Sequence, residues 1–94
     1  MHPIPADTAI TVVHSPGCHY CDDARAALAE ISAQQPLRVR YLDAASPEGA
    51  QLVAQHRVAM FPLVLVDGKF FSYGRLPRRK LLALLQSQAK AGAR

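Results

Sequence analysis

Four segments of the 94-residue chain have the apolar pattern of β-strands. Residues 10–14 are mostly apolar, residues 38–43 begin by alternating polar and apolar side chains, and residues 62–66 form the fully apolar run typical of a central strand. The fourth segment, residues 69–73, follows Asp67-Gly68, a dipeptide that favours the tight turn of a β-hairpin. We therefore predict that the last two strands pair with each other.

Three further segments have the period of helices. The first, residues 19–34, ends before Pro36, and its predicted buried stripe consists of Ala24, Ala27, Leu28 and Ile31. The second, residues 47–56, follows Ser46, a good N-cap residue, and begins with a proline, which suits the first helical position. The third, residues 77–89, is rich in leucine. The predicted order of elements is therefore β-α-β-α-β-β-α.

This order predicts a single α/β domain that includes residues 1–94. Because a helix connects the first two strands, they should lie parallel, in a four-stranded mixed sheet flanked by helices on both faces. We expect the core to extend over about residues 8–89, with frayed residues 1–7 and 90–94 on either side.

The composition is that of an ordinary globular protein, with 50% hydrophobic and 19% charged residues. No apolar run approaches the roughly 20 residues that a membrane helix needs, and residues 1–7 lack the pattern of a secretory signal. We therefore predict a cytoplasmic protein without membrane association. In the cytoplasm, paired cysteines are more often catalytic or metal-binding than structural.

Much of the formal net charge of +4 comes from four residues near the start of the third helix, which we call the basic cluster: Arg75, Arg78, Arg79 and Lys80. A solvated start of a helix explains such a cluster, and an acidic partner or a phosphate is the alternative. Nucleic-acid binding is not indicated, because aromatic side chains are not interleaved with the basic ones.

The two cysteines of the chain, Cys18 and Cys21, lie where the first strand gives way to the first helix. A Cys-x-x-Cys pair at a helix N-terminus is typical of thiol–disulfide exchange, because the helix dipole and free backbone N–H groups stabilise the first sulfur as a thiolate. The second sulfur, nearly one turn further on, can then close a disulfide with the first. A protonated His19 would stabilise the thiolate further.

Three sequence marks make the chain resemble a glutaredoxin of the thioredoxin-fold superfamily, over about residues 8–85. They are residues 15–21 (Ser-Pro-Gly-Cys-His-Tyr-Cys), residues 60–62 (Met-Phe-Pro) and residues 66–69 (Val-Asp-Gly-Lys). The resemblance implies a thioredoxin/glutaredoxin-like fold. It also implies that Pro62 has a cis peptide bond and faces the active-site sulfurs.

Catalysis is assigned to Cys18 and Cys21. The predicted substrate-binding residues are His19, Tyr20, Phe61, Pro62, Tyr73, Gly74 and Arg75. Core packing is the alternative for the aromatic residues among them. The chain differs from common glutaredoxins at Ser15, which stands in place of a lysine, and in residues 72–76, which contain one glycine and no acid.

The predicted function is the reduction of protein disulfides or of glutathione mixed disulfides, through a mixed disulfide on Cys18 that Cys21 resolves. Its expected partners are the disulfide substrates and a reductase, with glutathione as an alternative reductant. We predict a monomer without a bound cofactor or metal.

Two other functions remain open from the sequence. In the first, Cys18 helps to bind a metal ion or an iron–sulfur cluster, but a structural zinc site requires four ligands and no second ligand pair follows at a suitable spacing. In the second, the chain is a non-catalytic interaction module with a thioredoxin fold.

Overall fold

Four strands and three helices follow one another in the predicted order. The structure is a computed structural model. It describes the backbone of residues 8–92 and the side chains of residues 8–88. The strands are β1 (Thr8–His14), β2 (Leu37–Asp43), β3 (Leu63–Val66) and β4 (Lys69–Tyr73), and the helices are α1 (His19–Ser32), α2 (Pro47–His56) and α3 (Arg78–Gly92).

The boundaries of several elements differ from the predicted ones for local reasons. Helix α1 ends at Ser32 rather than at residue 34, because the chain tightens there and the N–H of Gln34 donates to the carbonyl of Ile31 at 3.0 Å. Strand β3 begins after Pro62, which has no N–H to donate to a neighbouring strand. Helix α3 continues to Gly92, past the predicted end at residue 89. Residues 1–7 and 93–94, where fraying was predicted, lie outside the described residues.

The sheet has the strand order β2-β1-β3-β4. Strands β1 and β2 are parallel, and β3 is antiparallel to both β1 and β4, which confirms the predicted parallel pair and the predicted hairpin. At the hairpin turn, Asp67 and Gly68 have φ angles of 50° and 81°. Two positive φ angles in succession match the right-handed twist of the strands that the turn joins.

Helices cover both faces of this sheet, as predicted. On one face, α1 and α3 pack on Ile10, Val12 and Val64, and Leu28 and Leu81 are fully buried there. Full burial of each such leucine contributes about 2 kcal/mol to stability. On the other face, side chains of α2 cover a smaller cluster formed by Val13, Leu63 and Leu65.

The antiparallel pairings bring three chain segments together at one end of the sheet. Val13, near the end of β1, lies opposite Leu63 at the start of β3, and Leu63 lies opposite Tyr73 at the end of β4. The segment after β1, the segment before β3 and the segment after β4 therefore meet. Within residues 8–92, no helix combines the length and the apolar character needed to cross a membrane.

Candidate redox site

A tight turn after β1 places Cys18 at the start of α1. Gly17 has a φ angle of 68°, a left-handed conformation that glycine adopts without the steric cost a side chain would bring. Cys18 follows in an extended conformation (φ −99°, ψ 108°) and is the N-cap residue of α1. The turn thus presents the cysteine where the helix has unpaired N–H groups.

The two cysteines are joined by a disulfide, with their Cα atoms 5.1 Å apart. A separation of three residues places them on the same side of the first helical turn. Cys21 is buried, with 8% of its surface exposed, whereas Cys18 is only partly buried. Of the two sulfurs, that of Cys18 is therefore the one that a large substrate can approach.

A backbone N–H group of α1 donates a hydrogen bond to the Cys18 sulfur. The N–H of Cys21 donates to Sγ at 3.0 Å, and the carbonyl of Cys18 accepts the N–H of Asp22 at 3.2 Å. When the disulfide is reduced, a thiolate in this position would accept a charge-assisted hydrogen bond and lie at the positive end of the helix dipole. Both interactions favour the ionised, nucleophilic form of the thiol.

The segment before β3 forms the wall opposite Cys18. The Phe61–Pro62 peptide bond is cis, as the family resemblance implied. The Sγ atom of Cys18 lies 3.5 Å from the carbonyl oxygen of Phe61. The ring of Phe61 points elsewhere and packs against the cluster of Val13, Leu63 and Leu65 that α2 covers. Phe61 therefore faces the sulfur with its backbone rather than with its aromatic ring.

The segment after β4 lies beside the segment before β3 and forms the next part of the site. The N–H of Gly74 donates to the carbonyl of Pro62 at 3.0 Å, which ties the two segments together. The neighbours of Gly74 are exposed, and 42% of the surface of Tyr73 is accessible. The structure thus brings four predicted site residues to the end of the sheet where the cysteines lie: Pro62, Tyr73, Gly74 and Arg75.

The remaining predicted site residues, His19 and Tyr20, occupy the first turn of α1 next to Cys18. Both are exposed, and 42% of the surface of Tyr20 is accessible. Tyr20 and Tyr73 are therefore surface residues, so core packing does not account for either ring. Their contact with a substrate stays a prediction.

Exposed apolar residues that we did not predict to belong to the site lie beside it. Met60 and Phe70 have exposed fractions of 48% and 49%. The ring of Phe70 lies 6.1 Å from that of Tyr73 in an edge-to-face arrangement and 5.9 Å from that of His56 at the end of α2. One signal was present in the sequence: of two consecutive phenylalanines in a strand, one must face away from the main core.

An ion pair connects α1 with the start of α3 close to the cysteines. Arg78 donates to the carboxylate of Asp23 at 2.9 Å and lies 3.7 Å from that of Glu30. This pairing offsets part of the negative charge that Asp23 brings to the first turns of α1. Among residues 8–92, no three histidine, cysteine or acidic side chains are grouped so that they could hold a metal ion.

Comparison with known proteins places this fold and site in a family. The family model of the thioredoxin domain matches residues 8–86, and the chain belongs to that family. A search of curated protein sequences returned no match.

Solved structures show the same fold at low sequence identity. An uncharacterised thioredoxin-like protein from Clostridium perfringens superimposes with a TM-score of 0.70 at 15% identity, over 90% of this chain and 73% of that chain. The reduced thioredoxin pre-protein of Schistosoma mansoni gives a TM-score of 0.64 at 10% identity, over 88% of this chain and 80% of that one. Thioredoxin f2 of Chlamydomonas reinhardtii gives 0.62 at 14% identity, over 85% and 77% of the two chains.

The family and the cysteine pair together define a thioredoxin-domain protein with a redox site of the thiol–disulfide type. The comparisons confirm the thioredoxin-fold superfamily that the sequence marks implied, and the narrower glutaredoxin assignment stays a prediction.

Proposed function

We propose that this protein is a thiol–disulfide oxidoreductase that reduces the disulfides of protein substrates through a mixed disulfide on Cys18. The observation that supports this proposal is the difference in exposure between two bonded sulfurs at a helix N-terminus. Cys18 can be reached from solvent, whereas Cys21 is 8% exposed and lies behind it.

The chemistry begins with the reduced protein. The Cys18 thiolate attacks one sulfur of a substrate disulfide, forms a new S–S bond with it and releases the other substrate sulfur as a thiolate. Cys21, losing its proton to water, then attacks Sγ of Cys18. The mixed disulfide breaks, and the second substrate sulfur leaves with its electron pair. The substrate has gained two electrons, and the protein is left with the Cys18–Cys21 disulfide.

Reduction of that disulfide needs two electrons from a thiol reductant. Two molecules of glutathione, or the dithiol of a reductase protein, would supply them by the reverse exchange. Glutathione is also the second candidate substrate, supported by the resemblance of residues 15–21 to those of glutaredoxins. In a glutathione reaction Cys18 alone is sufficient to accept the glutathionyl group.

The backbone around Phe61 supports binding of an extended segment. An extended chain lying along the residues before β3 would have its own sulfur beside Cys18, because the Phe61 carbonyl is 3.5 Å from Sγ. Such pairing uses the main chain and leaves specificity to the neighbouring side chains. The predicted monomeric state and cytoplasmic location stay predictions.

Turnover assays with two substrates test the proposal. Reduction of insulin and of a glutathione mixed disulfide would be measured with either a glutathione system or a thioredoxin-reductase system as the source of electrons. We expect Cys18→Ser to abolish both reactions and Cys21→Ser to abolish the reduction of insulin. Retained activity of Cys21→Ser on the glutathione substrate alone would assign a monothiol route to that substrate. Absence of turnover with all four combinations would contradict the proposed function.

A further inference from the structure

The first turn of α3 contains Arg78, Arg79 and Lys80 and no acidic residue, and Arg75 precedes it. The N-terminus of a helix carries a partial positive charge, so cations there oppose the stability of the helix. The helix itself therefore does not account for the basic cluster, and each member needs another explanation.

Two members of the cluster have partners within the fold. Arg78 pairs with Asp23 and Glu30 on α1, and the Nζ atom of Lys80 lies 5.4 Å from the centre of the Phe71 ring. Arg75 and Arg79 are exposed and form no ion pair with any other residue among 8–88. Their guanidinium groups are free to meet an anion from outside the protein.

These groups surround a depression in the surface with a volume of about 590 Å³. It is lined by the basic cluster, by Leu76 and Pro77, and by Asp23, whose carboxylate is already occupied by Arg78. We call it the basic depression. With planar, fork-shaped cations and two apolar residues in its lining, it suits a carboxylate side chain better than a cation or a purely apolar group.

Two short stretches of chain connect the basic depression to the redox site. Arg75 follows Gly74, whose N–H donates to the carbonyl of Pro62, and the adjacent Phe61 carbonyl is 3.5 Å from the Cys18 sulfur. In addition, Asp23 follows Cys18 by five residues, which is about 7.5 Å along the axis of α1. A segment bound at Cys18 would therefore have its neighbouring residues within reach of Arg75 and Arg79.

We infer that the basic depression binds acidic side chains that flank the reactive cysteine of a protein substrate. This inference rests on the proposed function and adds to it the class of substrate. The occupant is an extended acidic segment of a protein, held by its main chain beside Phe61 and by its carboxylates at Arg75 and Arg79. The formal net charge of +4 favours the approach of such a segment.

Peptide disulfides of matched length test the inference. Three substrates would differ only in the residues that flank the cysteine: glutamates, serines or lysines. With the reduced protein at low ionic strength, we expect the second-order rate constant to be about fivefold higher for the glutamate peptide than for the serine peptide, and lower again for the lysine peptide. The preference should shrink as added salt screens the exposed charges.

Charge-reversal variants assign the preference to its residues. Arg75→Glu and Arg79→Glu should each remove most of it, and Arg75→Lys should retain most of it. Lys69→Glu makes the same change of charge at the opposite end of the sheet, next to Val66, and should leave the preference in place. Hydroxyethyl disulfide, which has no charge, monitors the chemistry alone. Lys69→Glu should reduce it at the native rate, and the peptide rates of each arginine variant are divided by that variant's own rate with hydroxyethyl disulfide.

The outcomes separate this inference from the proposed function. Equal rates for the three peptides, together with normal reduction of hydroxyethyl disulfide, would overturn the inference and leave the proposed function intact. A preference for oxidised glutathione over the glutamate peptide, lost in Arg75→Glu, would assign the depression to glutathione and also overturn the inference. A protein that reduces none of these disulfides would contradict both.

Discussion

The sulfur of Cys18 lies 3.5 Å from the carbonyl oxygen of Phe61, a residue 43 positions further along the chain. The contact follows from the antiparallel pairing of β1 and β3, which puts the end of one strand beside the start of the other. It places a reactive sulfur next to a backbone acceptor that an extended substrate can share.

The turn before Cys18 is tested by Gly17→Ala. The φ angle of 68° is costly for alanine, although no atom would collide with its Cβ, so the free energy of unfolding should fall by about 1 kcal/mol. Because the turn also positions the N-cap, the alkylation of Cys18 should become slower. Denaturant unfolding and iodoacetamide kinetics measure the two effects.

Gly68→Ala is the matched control for this turn. Gly68 has a φ angle of 81° and equally open surroundings, but it lies in the hairpin at the far end of the sheet. It should lose a similar amount of stability with no change in the alkylation rate. Slower alkylation in both variants would show that general loss of stability, and not the turn, controls the reactivity of Cys18.

The side chain of His19 should affect the reduction potential. A cation in the first turn of α1 stabilises the thiolate and therefore the reduced form, so His19→Pro is expected to make the potential more negative, by about 10–30 mV. Proline suits the first helical position, so the helix should be retained. Equilibration with glutathione redox buffers measures the shift.

His19→Gln separates the charge from the backbone in this experiment. It removes the imidazole without introducing proline, and it should shift the potential in the same direction. A shift with proline alone would assign the effect to the backbone, and an unchanged or more positive potential in both variants would refute the role of His19.

Tyr41 gives the fold a pH dependence in the alkaline range. Burial raises the pKa of Tyr41 above its ordinary value, while the Arg25 guanidinium, 4.0 Å from the centre of the ring, lowers it in part. The unfolded chain therefore releases this proton at a lower pH than the folded protein does. The contribution of Tyr41 to stability is complete below a pH of about 10 and is lost as the pH rises through the folded pKa.

Unfolding measured across the alkaline range tests this expectation by comparison of variants. Tyr41→Phe should show a smaller loss of stability with rising pH than the native protein. Arg25→Gln removes the interaction that lowers the pKa, so its loss should be steeper. Identical pH profiles for the native protein and Tyr41→Phe would contradict the assignment.

Much of the fold follows from local signals in the sequence. The Asp67-Gly68 turn and the apolar run before it predict the β3–β4 hairpin, and Ser46 followed by Pro47 predicts the start of α2, where the Ser46 hydroxyl accepts the N–H of Gly49 at 3.0 Å. Those predictions were confirmed because each depends on neighbouring residues. The cysteines were found for the same reason, since strand, turn and helix follow directly in sequence.

The surroundings of the cysteines depend on contacts between distant residues and could be predicted only in part. The Asp23–Arg78 ion pair joins residues 55 positions apart, and no sequence pattern indicated it. The β-bulge in β4 had no sequence signal either: Leu65 pairs with Phe70 and Val64 with Ser72, which leaves Phe71 as the extra residue. The resemblance of residues 60–62 to the family motif did indicate where Pro62 would lie.

The central claim is that Cys18 is the attacking cysteine and Cys21 the resolving one. It is tested most directly by identifying the sulfur that reacts first. The reduced protein would be treated with less than one equivalent of iodoacetamide near neutral pH, digested and analysed by mass spectrometry. The partly exposed, N-capping position of Cys18 predicts that it carries nearly all of the label, at a rate well above that of a free cysteine. Labelling mainly at Cys21, or equal and slow labelling of both residues, would contradict the account.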